Sequence, residues 1–197
     1  MLAGLVLATT SCGDVARQGR APVYLVIDSL TGASGGTGGA STFSGTLFSD
    51  VLTLVTTPEP CAPTTPCPTV FADSGQAAIS MASKDYTVAP STNNQVTITR
   101  YHVEYTRADG RNTPGVDVPY AFDGAVTATV SGGISATFDF EIVRHVAKME
   151  TPLVQLIQNP KIITTIANIT FYGRDVTGND ISVTGSITIE FGNFGDD

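Results

Sequence analysis

The sequence predicts an all-β fold, a sandwich of two sheets with one short crossover helix at about 151–158. Three observations lead there. The first is a pair of alternating arms between Lys161 and Phe191. In the second arm Ile181, Val183, Gly185, Ile187, Ile189 and Phe191 share one face, and Ser182, Thr184, Ser186, Thr188 and Glu190 share the other. The second is a series of further apolar stretches, about seven to ten in all, punctuated by Gly, Pro and Asn. The third is composition. Charged residues make up 14% of the 197-residue chain against 42% hydrophobic, so Thr, Ser, Asn and Gly must dress the surface. A jelly roll or an open barrel is the competing architecture.

Taken in order, residues 22–192 form one sandwich domain. Pro22 to Leu30 is the first strand, apolar on both faces for part of its length. Residues 31–42 are Gly, Ser, Thr and Ala and read as a flexible loop. No Gly-Lys-Ser/Thr follows it, so it is not a phosphate loop. Phe43 to Thr56 holds one bent strand or two short ones. Residues 57–68 are a Pro/Cys loop. Val70 to Ser83 contains a strand around Ala77-Ala78-Ile79.

Val96 to Thr106 is a strong strand whose phase switches between Ile98 and Tyr101, which predicts a β-bulge near Thr99-Arg100. Ala108 to Arg111 is a hairpin-type turn. Asn112 to Tyr120, with Pro114, Gly115 and Pro119, is loop or sheet edge. Ala125 to Ser131 and Ile134 to Ala147 are strands joined at Gly132-Gly133. In the latter Ile134, Ala136, Phe138, Phe140 and Ile142 are expected inward. Thr151 as N-cap with Pro152 in the first helical position opens the crossover helix, and Asn159-Pro160 closes it. The arms from Lys161 to Tyr172 and Ile181 to Phe191 flank the polar turn 173–180 and make a long hairpin. Residues 193–197 form an acidic tail.

The beginning of the chain carries a different signal. Leu2 to Ala8 is a short apolar run, too short for a bilayer span of about 20 residues but suited to a signal peptide. It leads into Thr10-Ser11-Cys12-Gly13. This resembles the lipobox of bacterial lipoproteins, in which a cysteine after small residues is lipidated and becomes the new N-terminus. Thr9 stands where Leu, Val or Ile is usual, and no basic segment precedes the apolar run, which makes Met1 a candidate late start. The resemblance implies a signal peptide at 1–11, lipidation at Cys12, a tether at 12–21 and a membrane partner on the exported side of a bacterial envelope. Of three cysteines it leaves Cys61 and Cys67, expected as a structural disulfide.

Tyr101-His102-Val103-Glu104-Tyr105 is similar to the third strand of an immunoglobulin or fibronectin type III sandwich. Asn168 to Tyr172 with the strand from Ile181 is similar to its final hairpin. The resemblance spans about 96–191 and implies an immunoglobulin-like antiparallel sandwich. The chain departs from it in having no tryptophan and no inter-sheet cysteine pair. An internal echo joins Tyr105-Thr-Arg-Ala-Asp109-Gly to Tyr172-Gly-Arg-Asp175-Val-Thr-Gly, and the two turns are expected side by side at one end.

Catalytic signals are sparse. The two histidines, His102 and His145, read as strand residues, with Glu104 or Glu141 as third groups for a shared metal. No Gly-x-Ser-x-Gly elbow occurs. Asp139 and Glu141 are two apart on an exposed face, as in any soluble sheet. Oxygen-rich turns are the candidate ligand or calcium loops: Asp109 and Asn112 in one, Asp175, Asn179 and Asp180 in the other, with no EF-hand spacing. A net charge of −8 without a basic cluster argues against nucleic acid. The expectation is a lipid-anchored envelope protein with a non-catalytic binding or structural role toward a protein or glycan, and no cofactor. The alternatives are a glycan- or calcium-dependent adhesion module and a hydrolase on a sandwich scaffold.

Overall fold

Period-two alternation decides the layout. In the computed structural model, which describes residues 19–36 and 42–195, nearly every alternating stretch is a strand. In chain order these are β1 (Val23–Ala33), β2 (Thr46–Asp50), β3 (Thr53–Val55), β4 (Cys67–Thr69), β5 (Asp73–Ser83), β6 (Gln95–Thr106), β7 (Phe122–Ser131), β8 (Ala136–Val143), β9 (Ile163–Asp175) and β10 (Asp180–Gly192). A four-residue helix α1 (His145–Lys148) and a 3-10 helix (Leu153–Gln158) separate β8 from β9.

The strands form a sandwich. A three-stranded sheet in the order β1-β5-β8 faces a five-stranded sheet in the order β2-β10-β9-β6-β7, and β3-β4 make a small ribbon. One pair departs from the antiparallel expectation: β2 runs parallel to β10, with Leu47 opposite Ile189. The long hairpin is β9–β10, in register from Ile163↔Phe191 to Arg174↔Asp180.

Each sheet buries one face. Val96, Ile98, Val103, Ala167, Ile169, Phe171, Ile187, Ile189 and Phe191 come from the five-stranded sheet, and Leu25, Ala77, Ile79, Phe140 and Ile142 from the other. Two core tyrosines use their hydroxyls on β8. The Tyr105 hydroxyl donates to the Ile142 carbonyl at 2.6 Å, and the Glu141 N–H donates to the Tyr101 hydroxyl at 3.2 Å. They satisfy backbone groups on a strand whose second edge has no neighbouring strand among the described residues. The expected bulge is present. The register of β6 slips between Ile98 and Arg100 against both β7 and β9, which keeps Ile98 and Tyr101 both inward.

Several expectations require correction. Thr31, Gly32 and Ala33 extend β1 instead of opening a loop, and Gly32 exchanges backbone hydrogen bonds with Ser44 at 2.9 Å. Ile134 lies in the turn before β8 and is 63% exposed, so it is not a core residue. The Gly132-Gly133 turn carries the chain between sheets, since β7 and β8 belong to opposite layers. A Cβ on Gly132 would sit 2.2 Å from the Ser91 carbonyl oxygen, and Gly133 has φ of 79°. His145 starts α1 and is not on a strand. The crossover helix is a single 3-10 element with Pro152 preceding it. The Thr151 hydroxyl caps nothing there and donates to the Gly115 carbonyl at 2.6 Å. Leu153 and Leu156 still plug the core, as their spacing requires.

The Pro/Cys loop closes the β3–β4 ribbon. Cys61 and Cys67 are disulfide-bonded, with Cα atoms 5.4 Å apart. Cys12 and the rest of residues 1–18 lie outside the described residues, as do the middle of the glycine-rich stretch and the last two residues.

Candidate binding face on the five-stranded sheet

The outward parity of β6, β9 and β10 sets side chains in rows. Arg100, Tyr172 and Ser182 make one row, His102, Thr170 and Thr184 the next, and Glu104, Asn168 and Ser186 the third. The bulge decides the first row, because it leaves Thr99 and Arg100 both exposed. The Arg100 guanidinium lies over the Tyr172 ring at 3.7 Å from its centroid. Asp123 on β7 holds it from the side at 3.5 Å and also meets His102 Nδ1 at 3.2 Å. Arg174 gives its Nε to Asp180 at 2.7 Å.

Between these residues lies a cavity of about 380 Å³ lined by Thr99, Arg100, Tyr172, Arg174, Asp180 and Ser182. It combines planar donors, hydroxyls and an aromatic ring. Such a set orients a polar ligand by hydrogen bonds.

The two turn groups do not form a common site. β6 and β9 are antiparallel, with Thr106 opposite Ile166 and Val96 opposite Asp175. The turn after β6 and the turn after β9 therefore lie at opposite ends of the sandwich. This corrects the expectation that they stand side by side. Within each turn the oxygens are occupied by the chain itself. Asp109 accepts from Arg107 Nη2 at 2.6 Å and Arg111 Nη2 at 2.7 Å, and Asn112 accepts from the Arg107 N–H at 2.6 Å. The two arginines hold the Asp109 carboxyl well below the usual carboxylate range.

Asp175 accepts from the backbone and hydroxyl of Thr177 and from the backbone and amide of Asn179, at 2.8–2.9 Å. Partial burial raises its pKa, but those hydrogen bonds outweigh that and the carboxyl lies below the usual range. Asp180 is paired with Arg174. His102 and His145 lie on separate elements, and among the described residues no group of three or more His, Cys, Asp or Glu could hold a metal.

One cluster escaped sequence reasoning. Lys148, at the end of α1, is fully buried, and its Nζ donates to Asp73 Oδ1 and to the Asp50 carbonyl, both at 2.7 Å. Asp73, at the start of β5, is 1% exposed. Its Oδ1 also takes the Gly35 N–H at 2.8 Å and its Oδ2 takes the Ser49 hydroxyl at 2.6 Å. Burial pushes the Asp73 carboxyl above the usual range, against the opposing pull of Lys148, Ser49 and Gly35. Its only sequence signal is an acidic residue opening an apolar strand; nothing local pairs it with a lysine 75 residues away.

No protein-family model, curated protein or solved structure matches the chain.

Proposed function

We propose that the protein is an exported, lipid-anchored sandwich that acts by binding, with the outer face of the five-stranded sheet as its contact surface. The observation that carries the reading is the cavity in which Arg100 stacks on Tyr172 beside Arg174. The Ser, Thr and Asn rows around it suit a ligand rich in hydroxyl or amide groups, a glycan or the polar surface of a protein. The lipobox-like Thr10-Ser11-Cys12 supports the anchor, and the Cys61–Cys67 disulfide supports an oxidising compartment. A tether of about ten residues would hold the sandwich near the membrane and leave its sheet face accessible.

Two experiments test the two halves. The N-terminal peptide of protein taken from a bacterial membrane fraction should begin at an acylated Cys12; a chain that keeps Met1 and an unmodified Cys12 rejects the anchor. For the face, the wild-type chain and an Arg100→Ala/Arg174→Ala variant are compared on a glycan array and against purified envelope proteins. A binder lost at least tenfold in the variant, at an unchanged melting temperature, supports the site. Binding that is indifferent to both arginines removes it.

A further inference from the structure

We propose that Lys148 and Asp73 condense into an intramolecular amide that cross-links α1 to β5. The pair has the components of an acyl-transfer site. The Lys148 nitrogen lies 2.7 Å from Asp73 Oδ1, hence no more than one C–O bond further from the Asp73 carbonyl carbon. The Asp50 carbonyl holds that nitrogen from another side at 2.7 Å, so its position is set by two acceptors. The Ser49 hydroxyl on Oδ2 is placed to take the charge that develops on the retained oxygen. The Gly35 N–H on Oδ1 holds the oxygen that takes the lysine proton and departs. Both side chains are shut off from solvent.

The chemistry balances without a co-reactant. A proton passes from the Lys148 ammonium to the Asp73 carboxylate along their hydrogen bond, leaving an amine and an acid. Burial displaces the Asp73 carboxyl upward, toward the acid form this step needs. The amine lone pair attacks Cγ, a C–N bond forms, and the carbonyl electrons move to Oδ2. Collapse restores the carbonyl at Oδ2 and breaks the Cγ–Oδ1 bond. Oδ1 leaves as water, carrying the acid proton and one more passed to it directly from Nζ. An ammonium and a carboxylate become one neutral amide and one water. The product removes two buried charges and their desolvation cost. In a site without solvent access, water has no ready path back for hydrolysis. Such a bond would brace the junction of β1, β2, β5 and α1 in a protein that works outside the cell.

The test is a peptide map of the full chain, reduced and digested with trypsin after storage at neutral pH. A cross-linked chain yields residues 21–84 joined to residues 145–161, uncut after Lys148 and lighter than the two peptides by one water. The Lys148→Arg variant, which keeps the charge but lacks the amine, should give residues 21–84 alone. A wild-type digest containing only free 21–84, 145–148 and 149–161 overturns the proposal and leaves a plain buried ion pair.

Discussion

Gly124 on β7 is a position where one methyl group tests the packing of the sandwich. A Cβ built there would lie 2.2 Å from Tyr101 Cζ and 2.3 Å from its hydroxyl oxygen. The Tyr101 ring is buried and cannot swing aside freely, because Phe122, Phe140 and Phe171 pack around it with centroids at 6.2, 5.1 and 6.3 Å. Gly124→Ala must therefore push the ring, at an overpacking cost of about 1–3 kcal/mol. It also draws the Tyr101 hydroxyl from the Glu141 N–H, worth about 0.5–1.5 kcal/mol. Alanine returns about 0.5–1 kcal/mol through strand propensity. The net destabilisation is about 2 kcal/mol, equivalent to a drop of about 4–8 °C in melting temperature for a chain of this size. Thermal unfolding by circular dichroism reads it. In a Tyr101→Leu background the ring is gone and the alanine should cost almost nothing. An unchanged melting temperature in the single variant, or strict additivity in the double, would refute the steric argument.

Other outcomes follow from named contacts. Replacing Cys61 and Cys67 by serine should cost about 2 kcal/mol by loop entropy, read as a lower urea midpoint with the β-sheet spectrum kept. Tyr105→Phe strands the Ile142 carbonyl in the core and should cost about 1–3 kcal/mol in the same assay. Asp175 has its folded pKa below its unfolded one, so its stabilisation is full above the unfolded value and lost as pH falls through the folded one. Asp175→Ala should accordingly lower stability at neutral pH and narrow its gap to wild type below about pH 4. Millimolar calcium should leave the melting temperature unchanged, because the carboxylates of Asp109 and Asp175 are already taken by Arg107, Arg111, Thr177 and Asn179.

What was legible in the sequence is what local periodicity encodes. The parity of Ile187, Ile189 and Phe191 placed one face of β10 in the core, and the slip from Ile98 to Tyr101 marked a bulge before any neighbour was known. The failures are of two physical kinds. Some are non-local. The Lys148–Asp73 pair joins an element end to a strand start, and β2 finds a parallel partner at the far end of the chain; no spacing rule carries either. Others arise where a local pattern outlasts its element. The alternation of Ile134 to Val143 continues past the true strand start, because Gly133 at positive φ sits in a turn between sheets and Ile134 falls outside the pairing. The misplaced pair of turns is a matter of direction: adjacent antiparallel strands send their following turns to opposite ends, however alike their sequences.

The bulge also links the core to the candidate site. A regular β6 would have to choose between Val96 and Ile98 inward and Tyr101, Val103 and Tyr105 inward, since the two sets have opposite parity. The extra residue satisfies both, and it leaves Thr99 and Arg100 consecutive on the surface. Arg100 then stands opposite Tyr172 at a register step that strict alternation could not provide, and the stack at 3.7 Å follows. The Arg100–Tyr172 floor of the cavity is thus a by-product of how the strand buries its aromatic residues. Removing the arginine side chain should therefore disturb recognition while leaving the fold intact, because the bulge is held by the core residues on either side of it and not by the guanidinium.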